Sequence, residues 1–77
     1  MKVDSQNLLI GDRFTLKDEI TKNKNVYEIT SEQVPITNPN FTHWVQYECK
    51  AVSFKPGSVL LEKTIFLRGN LIDIERK

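Results

Sequence analysis

His43 and Cys49 are the only histidine and the only cysteine among the 77 residues. Both fall on one face of an alternating stretch, where the intervening residues of strand separate them by ~20 Å at ~3.3 Å per residue. A nucleophile and its base must lie within hydrogen-bond reach, so the pair cannot form a catalytic dyad within one chain. One imidazole and one thiol are also too few ligands for a zinc site. We expect no metal or other cofactor, Cys49 in the core and His43 at a rim.

The acidic residues form no convergent group. Asp18 and Glu19 are adjacent in a charged segment, and Asp73 and Glu75 share one predicted strand face, so we expect all four to be solvated. Asp12 follows a glycine and suits a turn in which its carboxylate binds nearby backbone amides. The glycines lie far apart, which excludes a phosphate-cradling loop. The sequence therefore predicts a protein that is not an enzyme.

Charge and hydropathy narrow the possible partners. Eleven Lys and Arg against ten Asp and Glu leave a net charge of +1, which gives no global attraction to nucleic acid or to an anionic membrane. A single cysteine excludes an internal disulfide. The first residues lack the apolar run of a signal peptide, and no stretch approaches the ~20 apolar residues of a membrane span. We expect an intracellular, cytoplasmic protein.

The longest alternating stretch covers residues 43–52 and predicts a half-buried strand. Its predicted inward residues are Val45, Tyr47, Cys49 and Ala51, and its outward residues are Trp44, Gln46, Glu48 and Lys50. Shorter alternating segments at 13–16, 26–30, 59–67 and 71–75 read as strands, with turn-favouring residues between them. Residues 33–42 contain two prolines and are predicted to form a loop.

Five short strands without a helix longer than one turn predict an all-β fold, a small antiparallel barrel or a strongly bent sheet. We expect a single domain over residues 1–77, with flexible ends at 1–7 and 76–77. A looped first pair, a long hairpin and a short last strand after a tight turn resemble the SH3-like small barrels. An OB-like barrel is the alternative, although it usually carries a helix.

The Pro56-Gly57 pair is typical of a type II turn and sets the register of the central hairpin. With Pro56 at the centre, Tyr47 lies opposite Ile65. In this register Val59, Leu61, Ile65 and Leu67 are predicted to face the core, interrupted only by Lys63. This register also opposes Lys50 to Glu62, whereas the neighbouring one opposes two glutamates, a difference of roughly 0.2–1 kcal/mol per pair.

The predicted register gathers Trp44, Phe66 and Arg68 on the outer face, with Phe41 and His43 at its edge. Large aromatic side chains and arginine are enriched at binding hot spots. A loop folded over them, from residues 33–42 or from the N-terminal segment, is the structural alternative. The leading prediction is a small non-catalytic module that contacts another protein and self-associates. By analogy, it would suit an accessory or inhibitor protein of a phage or mobile element.

A nucleic-acid-binding barrel is the alternative function. Aromatic rings beside cations suit single strands, and the same platform would act with Lys50, Lys55, Arg76 and Lys77. Neutralised phosphates release counterions, so this hypothesis predicts an affinity that falls steeply with salt. A protein interface built on aromatic residues predicts weak salt dependence instead.

Overall fold

The computed structural model describes residues 1–76 and is built from β-strands. The strands are β1 (Lys2–Asp4), β2 (Arg13–Lys17), β3 (Lys24–Ile29), β4 (Trp44–Ser53), β5 (Lys63–Leu67) and β6 (Leu71–Glu75). Single 3₁₀ turns cover Ser5–Asn7 and Pro39–Phe41, and residues 1–76 contain no α-helix. The all-β prediction is confirmed. No helix in this part of the chain has the length or apolar character needed to cross a membrane.

The six strands form one antiparallel sheet in the order β1-β6-β2-β3-β4-β5. The sheet curls into a half-barrel, and β4 joins its two sides. The first half of β4 pairs with β5, where Trp44 lies opposite Leu67. Its second half pairs with β3, where Ala51 lies opposite Tyr27 and an irregularity bends the ladder. The predicted bent antiparallel sheet is therefore present.

The concave side of the half-barrel holds the core. Its buried apolar residues are Leu8, Phe14, Tyr27, Ile29, Val45, Tyr47, Cys49, Phe66 and Ile74. The ring of Phe14 stacks on Tyr27 at a centroid distance of 5.7 Å and meets the edge of Phe66 at 5.6 Å. The predicted facing of β4 and the core position of Cys49 are confirmed.

The N-terminal residues carry structure that the sequence pattern does not reveal. β1 pairs with β6, and the Asp4 carboxylate accepts a hydrogen bond from the Gln6 amide at 3.0 Å, which begins the 3₁₀ turn. Ser5 is fully buried, and its hydroxyl donates to the Leu67 carbonyl at 2.7 Å. These contacts give residues 2–7 regular structure. At the other end, Lys77 lies outside the described residues.

The predicted register of β5 is wrong by one residue. Tyr47 lies opposite Thr64 rather than Ile65, and Val45 lies opposite Phe66. Because side chains alternate along a strand, a shift of one residue exchanges the two faces of β5. Residues 54–62, which we expected to extend this strand in part, form a turn and an irregular segment instead.

The charge of Lys63 explains this register. Lys63 is in phase with Ile65 and Leu67, so burying those two aliphatic side chains would also turn an ammonium group towards the core. The opposite phase buries Phe66 together with Thr64, whose hydroxyl lies 3.0 Å from the Cys49 sulfur. The Pro56-Gly57 pair does form the predicted turn, with Gly57 at φ +83° and a 3.2 Å bond from the Ser58 amide to the Lys55 carbonyl. This turn is not centred on the ladder between β4 and β5.

Tyr47 offers a direct test of how the N-terminal segment is held. Its buried hydroxyl donates to the Ser5 carbonyl at 2.6 Å and accepts from the Leu8 amide at 3.3 Å. Tyr47→Phe leaves both backbone groups without this partner, so we expect the free energy of unfolding in urea to fall by about 1–3 kcal/mol. Tyr27→Phe is the control, because no hydrogen bond of the Tyr27 hydroxyl is found within residues 1–76. Equal losses in the two variants would contradict this account.

Candidate functional site

The outer face of β4 and β5 presents a contiguous apolar surface, which we call the Trp44 face. It consists of Trp44, Ile65 and Leu67 with Phe41 at its border, and these side chains are 37, 47, 44 and 38% exposed. Trp44 lies directly opposite Leu67, and Ile65 occupies the next outward position of β5. Single exposed apolar residues are ordinary, whereas contiguous patches mark interaction sites.

The loop at residues 33–42 borders this face. The Val34 amide donates to the Gln46 carbonyl at 2.8 Å, which fixes one end of the loop along β4. At the other end, the Phe41 ring meets Trp44 edge to face at a centroid distance of 6.2 Å. A cleft of about 280 Å³ remains between the loop and the strand, with Arg68 in its wall. The loop therefore flanks Trp44 and leaves part of its ring exposed.

The structure brings together three of the five residues that we predicted for partner binding. Trp44, Phe41 and Arg68 all line the cleft. His43 is exposed beside them, and its carbonyl accepts the Arg68 amide at 2.7 Å. Phe66 is only 7% exposed and belongs to the core, so its predicted outward position is wrong. Its place on the outer face is taken by the two aliphatic residues of β5 on either side of it.

Sequence reasoning missed Ile65 and Leu67 as surface residues. Both have the apolar character of core residues, and their alternation alone predicted burial. The signal that identifies their true face is Lys63, which shares their phase and is exposed. A charged side chain in phase with apolar ones weighs against burial of the whole set.

β5 lies at the edge of the sheet and leaves backbone groups free. The Arg68 amide bonds across the ladder to His43, and hydrogen-bonded positions alternate along antiparallel strands. The N–H and C=O groups of Lys63 and Ile65 therefore point away from β4. No hydrogen bond within residues 1–76 reaches these four groups. The face thus combines exposed apolar side chains with an unpaired strand edge.

The residues predicted for nucleic-acid binding lie on three different elements. On β4, the Lys50 ammonium is 3.5 Å from Glu28, a carboxylate that also accepts from Arg13 at 3.0 Å. The hydrogen bond from Arg13 and the two nearby cations lower the pKa of Glu28. Lys55 is exposed in the turn after β4, and Lys77 lies outside the described residues.

Arg76, the remaining member of that set, is held by Asp12. Its guanidinium donates to both carboxylate oxygens of Asp12 at 2.9 and 2.8 Å. These bonds lower the pKa of Asp12 and raise that of Arg76. The predicted turn role of Asp12 is confirmed by its 2.8 Å bond from the Leu9 amide. Arg76 therefore ties the end of the chain to the turn before β2.

Asp18 anchors the segment that leads into β5, contrary to the predicted solvated position. One oxygen of its buried carboxylate accepts from the Thr21 hydroxyl and from the Val59 amide, both at 2.6 Å. Beside it, the Asn25 side chain accepts from the Lys55 amide at 3.3 Å. The hairpin between β2 and β3 therefore holds residues 55–59 in place through side-chain acceptors.

Acid should weaken this anchor. The hydrogen bonds to Asp18 hold its pKa at about 2, below the ordinary value of 3.8. A lowered folded-state pKa contributes stability that is present above the ordinary value and is lost as the pH falls through the folded value. We expect Asp18→Asn to lower the Tm at pH 7, and the difference from the unsubstituted protein to shrink between these two pKa values.

Thermal unfolding from neutral pH down to the folded-state pKa of Asp18 measures this difference in Tm. Glu19→Gln is the matched control, because the neighbouring Glu19 side chain is 85% exposed and, within residues 1–76, forms an ion pair with Lys22 alone. A constant Tm difference between the Asp18→Asn variant and the unsubstituted protein from neutral pH to the acid limit would show that the carboxylate charge does not hold the segment.

Comparison of the chain with protein-family models, with curated proteins and with solved structures found no match. The geometry of the Trp44 face and of the β5 edge is therefore the basis on which a function is inferred.

Proposed function

We propose that this protein is a small non-catalytic binding module that contacts another protein through the Trp44 face. The observation that carries the proposal is the contiguous exposure of Trp44, Ile65 and Leu67 beside an unpaired strand edge. Burial of apolar surface against a partner stabilises a complex by roughly 25 cal/mol per Å² before the costs of association. Trp and Arg are the residues most often found at the centre of such contacts.

The chemistry of the face favours a protein over a nucleic acid. Aromatic rings are the main platforms for base stacking, and the second predicted platform residue, Phe66, is buried. The side chains that adjoin Trp44 on β5 are aliphatic and offer no ring to a base. Two of the predicted phosphate contacts, Lys50 and Arg76, already pair with carboxylates. A protein surface with complementary apolar side chains meets these features better.

Such a module has its effect by binding, because it covers part of the surface of the partner protein. We propose that it works inside the cell in the manner of an accessory or inhibitor protein, of the kind that phages and mobile elements encode. The small core and the charge of +1 are compatible with this role, and the Trp44 face offers an apolar surface for the contact. The alternative is a nucleic-acid-binding role. The experiments below distinguish the two roles.

Selection from a random peptide library tests the module without knowledge of the natural partner. We expect peptides enriched on the unsubstituted protein to lose about tenfold or more in affinity on Trp44→Ala and on Leu67→Ser, as hot-spot truncations do. Ile20→Ser is the control, because Ile20 is also apolar and is more exposed than Trp44 or Leu67, but lies on the hairpin between β2 and β3. Equal loss on the control would contradict the assignment.

A titration with a mixed-sequence single-stranded oligonucleotide forms the second arm. The only tryptophan is Trp44, so its emission reports the face directly. We expect no saturable change at physiological salt. Quenching with an affinity that falls steeply between low and physiological salt would contradict the protein-binding proposal and support the nucleic-acid alternative.

A further inference from the structure

The edge of β5 is open over only part of its length. The carbonyl of Leu67 accepts the Ser5 hydroxyl at 2.7 Å, and the Ser5 amide bonds to the Asn70 carbonyl. The N-terminal segment therefore occupies the end of the edge that lies nearest β6. The N–H and C=O groups of Lys63 and Ile65 remain without partners in the described part of the chain. An added strand must be centred on this open part.

β5 also lacks most of the features that protect edge strands. Natural edges carry prolines, bulges or several charges that prevent pairing with another chain. β5 has no proline, its ladder with β4 is regular, and its one charged residue is Lys63. Lys63 lies opposite Glu48 in the ladder of the same chain, so a neighbouring strand meets residues of opposite charge at this position.

We propose that β5 pairs antiparallel with β5 of a second copy of this chain, about a twofold axis through Thr64. The inference rests on the proposed function, since it names one protein that the same surface binds. In this register each Lys63 lies opposite Ile65 of the other copy. The two Lys63–Ile65 pairs together form four backbone hydrogen bonds between the copies. These bonds use all the free N–H and C=O groups of Lys63 and Ile65. A pairing centred on Ile65 would instead need the Leu67 carbonyl, which Ser5 occupies.

The side chains fit a second copy as well as the backbone does. On the outer face, the apolar stem of Lys63 would lie beside Ile65 of the other copy while its ammonium group stays in the solvent. The charge of +1 on each chain gives two copies little mutual repulsion. Such a contact is isologous, so the hydrogen bonds between Lys63 of one copy and Ile65 of the other are repeated by symmetry. The two Trp44 faces would then lie on one continuous sheet.

Sedimentation velocity over a wide concentration range tests the pairing. We expect a reversible dimer for the unsubstituted protein. Ile65→Pro removes an outward amide that β4 does not use, so we expect a folded monomer with at least a tenfold weaker dimerisation. Ile65→Lys provides an independent test, since its exposed side chain would meet Lys63 of the other copy. Ile65→Val is the matched control and should dimerise as before.

The location of the contact is read by nuclear magnetic resonance on mixed labelled and unlabelled copies. Contacts between Lys63 of one copy and Ile65 of the other are expected. A dimer that survives both Ile65→Pro and Ile65→Lys overturns the inference, as do contacts confined to other strands.

The peptide selection distinguishes this inference from the proposed function. A protein that is monomeric at all concentrations but binds library peptides through Trp44 overturns the second copy and supports the module. A monomer that binds no peptide overturns both proposals.

Discussion

The pairing of Val45 with Phe66 is the constraint on which the rest of the structure depends. It turns the Phe66 ring towards Phe14 in the core and places Thr64 beside the Cys49 sulfur. The same alternation turns the residues between them outward. This register of β4 with β5 therefore fills the core and at the same time creates the apolar outer face.

Hydrogen bonds from distant parts of the chain hold the last residue of β5 and the segment that leads into β5. Ser5 holds the end at Leu67, and Tyr47 in turn holds Ser5 through its carbonyl. Before the strand, Asp18 holds Val59. These bonds join segments that no strand ladder connects, and they close a half-barrel whose buried core is small. The outward N–H and C=O groups of Lys63 and Ile65, in the first part of β5, form no hydrogen bond with residues 1–76.

The sequence pattern predicts β2, β3, β4 and β6 because each has a period of two with most of its apolar residues on one side. β1 has three residues, too few for a period to appear, and its position depends on pairing with the far end of the chain. β5 lies within the predicted strand at 59–67 but begins later and has its faces exchanged, because the odd-numbered phase of that segment holds more apolar residues than the even-numbered one. The charge of Lys63 decides between them, at a cost of burial that outweighs one additional aliphatic side chain.

Parts of the candidate site followed from the sequence, and parts did not. Trp44 and Phe41 were identified because aromatic residues on a predicted outer strand and its preceding loop stand out in any register. Leu67 was missed because its assignment required the correct register. The contacts of Asp18 and Arg76 could not be predicted from the local sequence pattern, because their partners lie 41 and 64 residues away along the chain.

The central claim is the register of β4 with β5, and a nuclear Overhauser experiment on the backbone Hα atoms measures it most directly. Residues that face each other without exchanging hydrogen bonds bring their Cα atoms to ~4.5 Å, which gives strong Hα to Hα contacts. The structure predicts such contacts between Gln46 and Ile65 and between Trp44 and Leu67. Contacts of Ile65 with Tyr47 in their place would turn Phe66 outward and contradict the account.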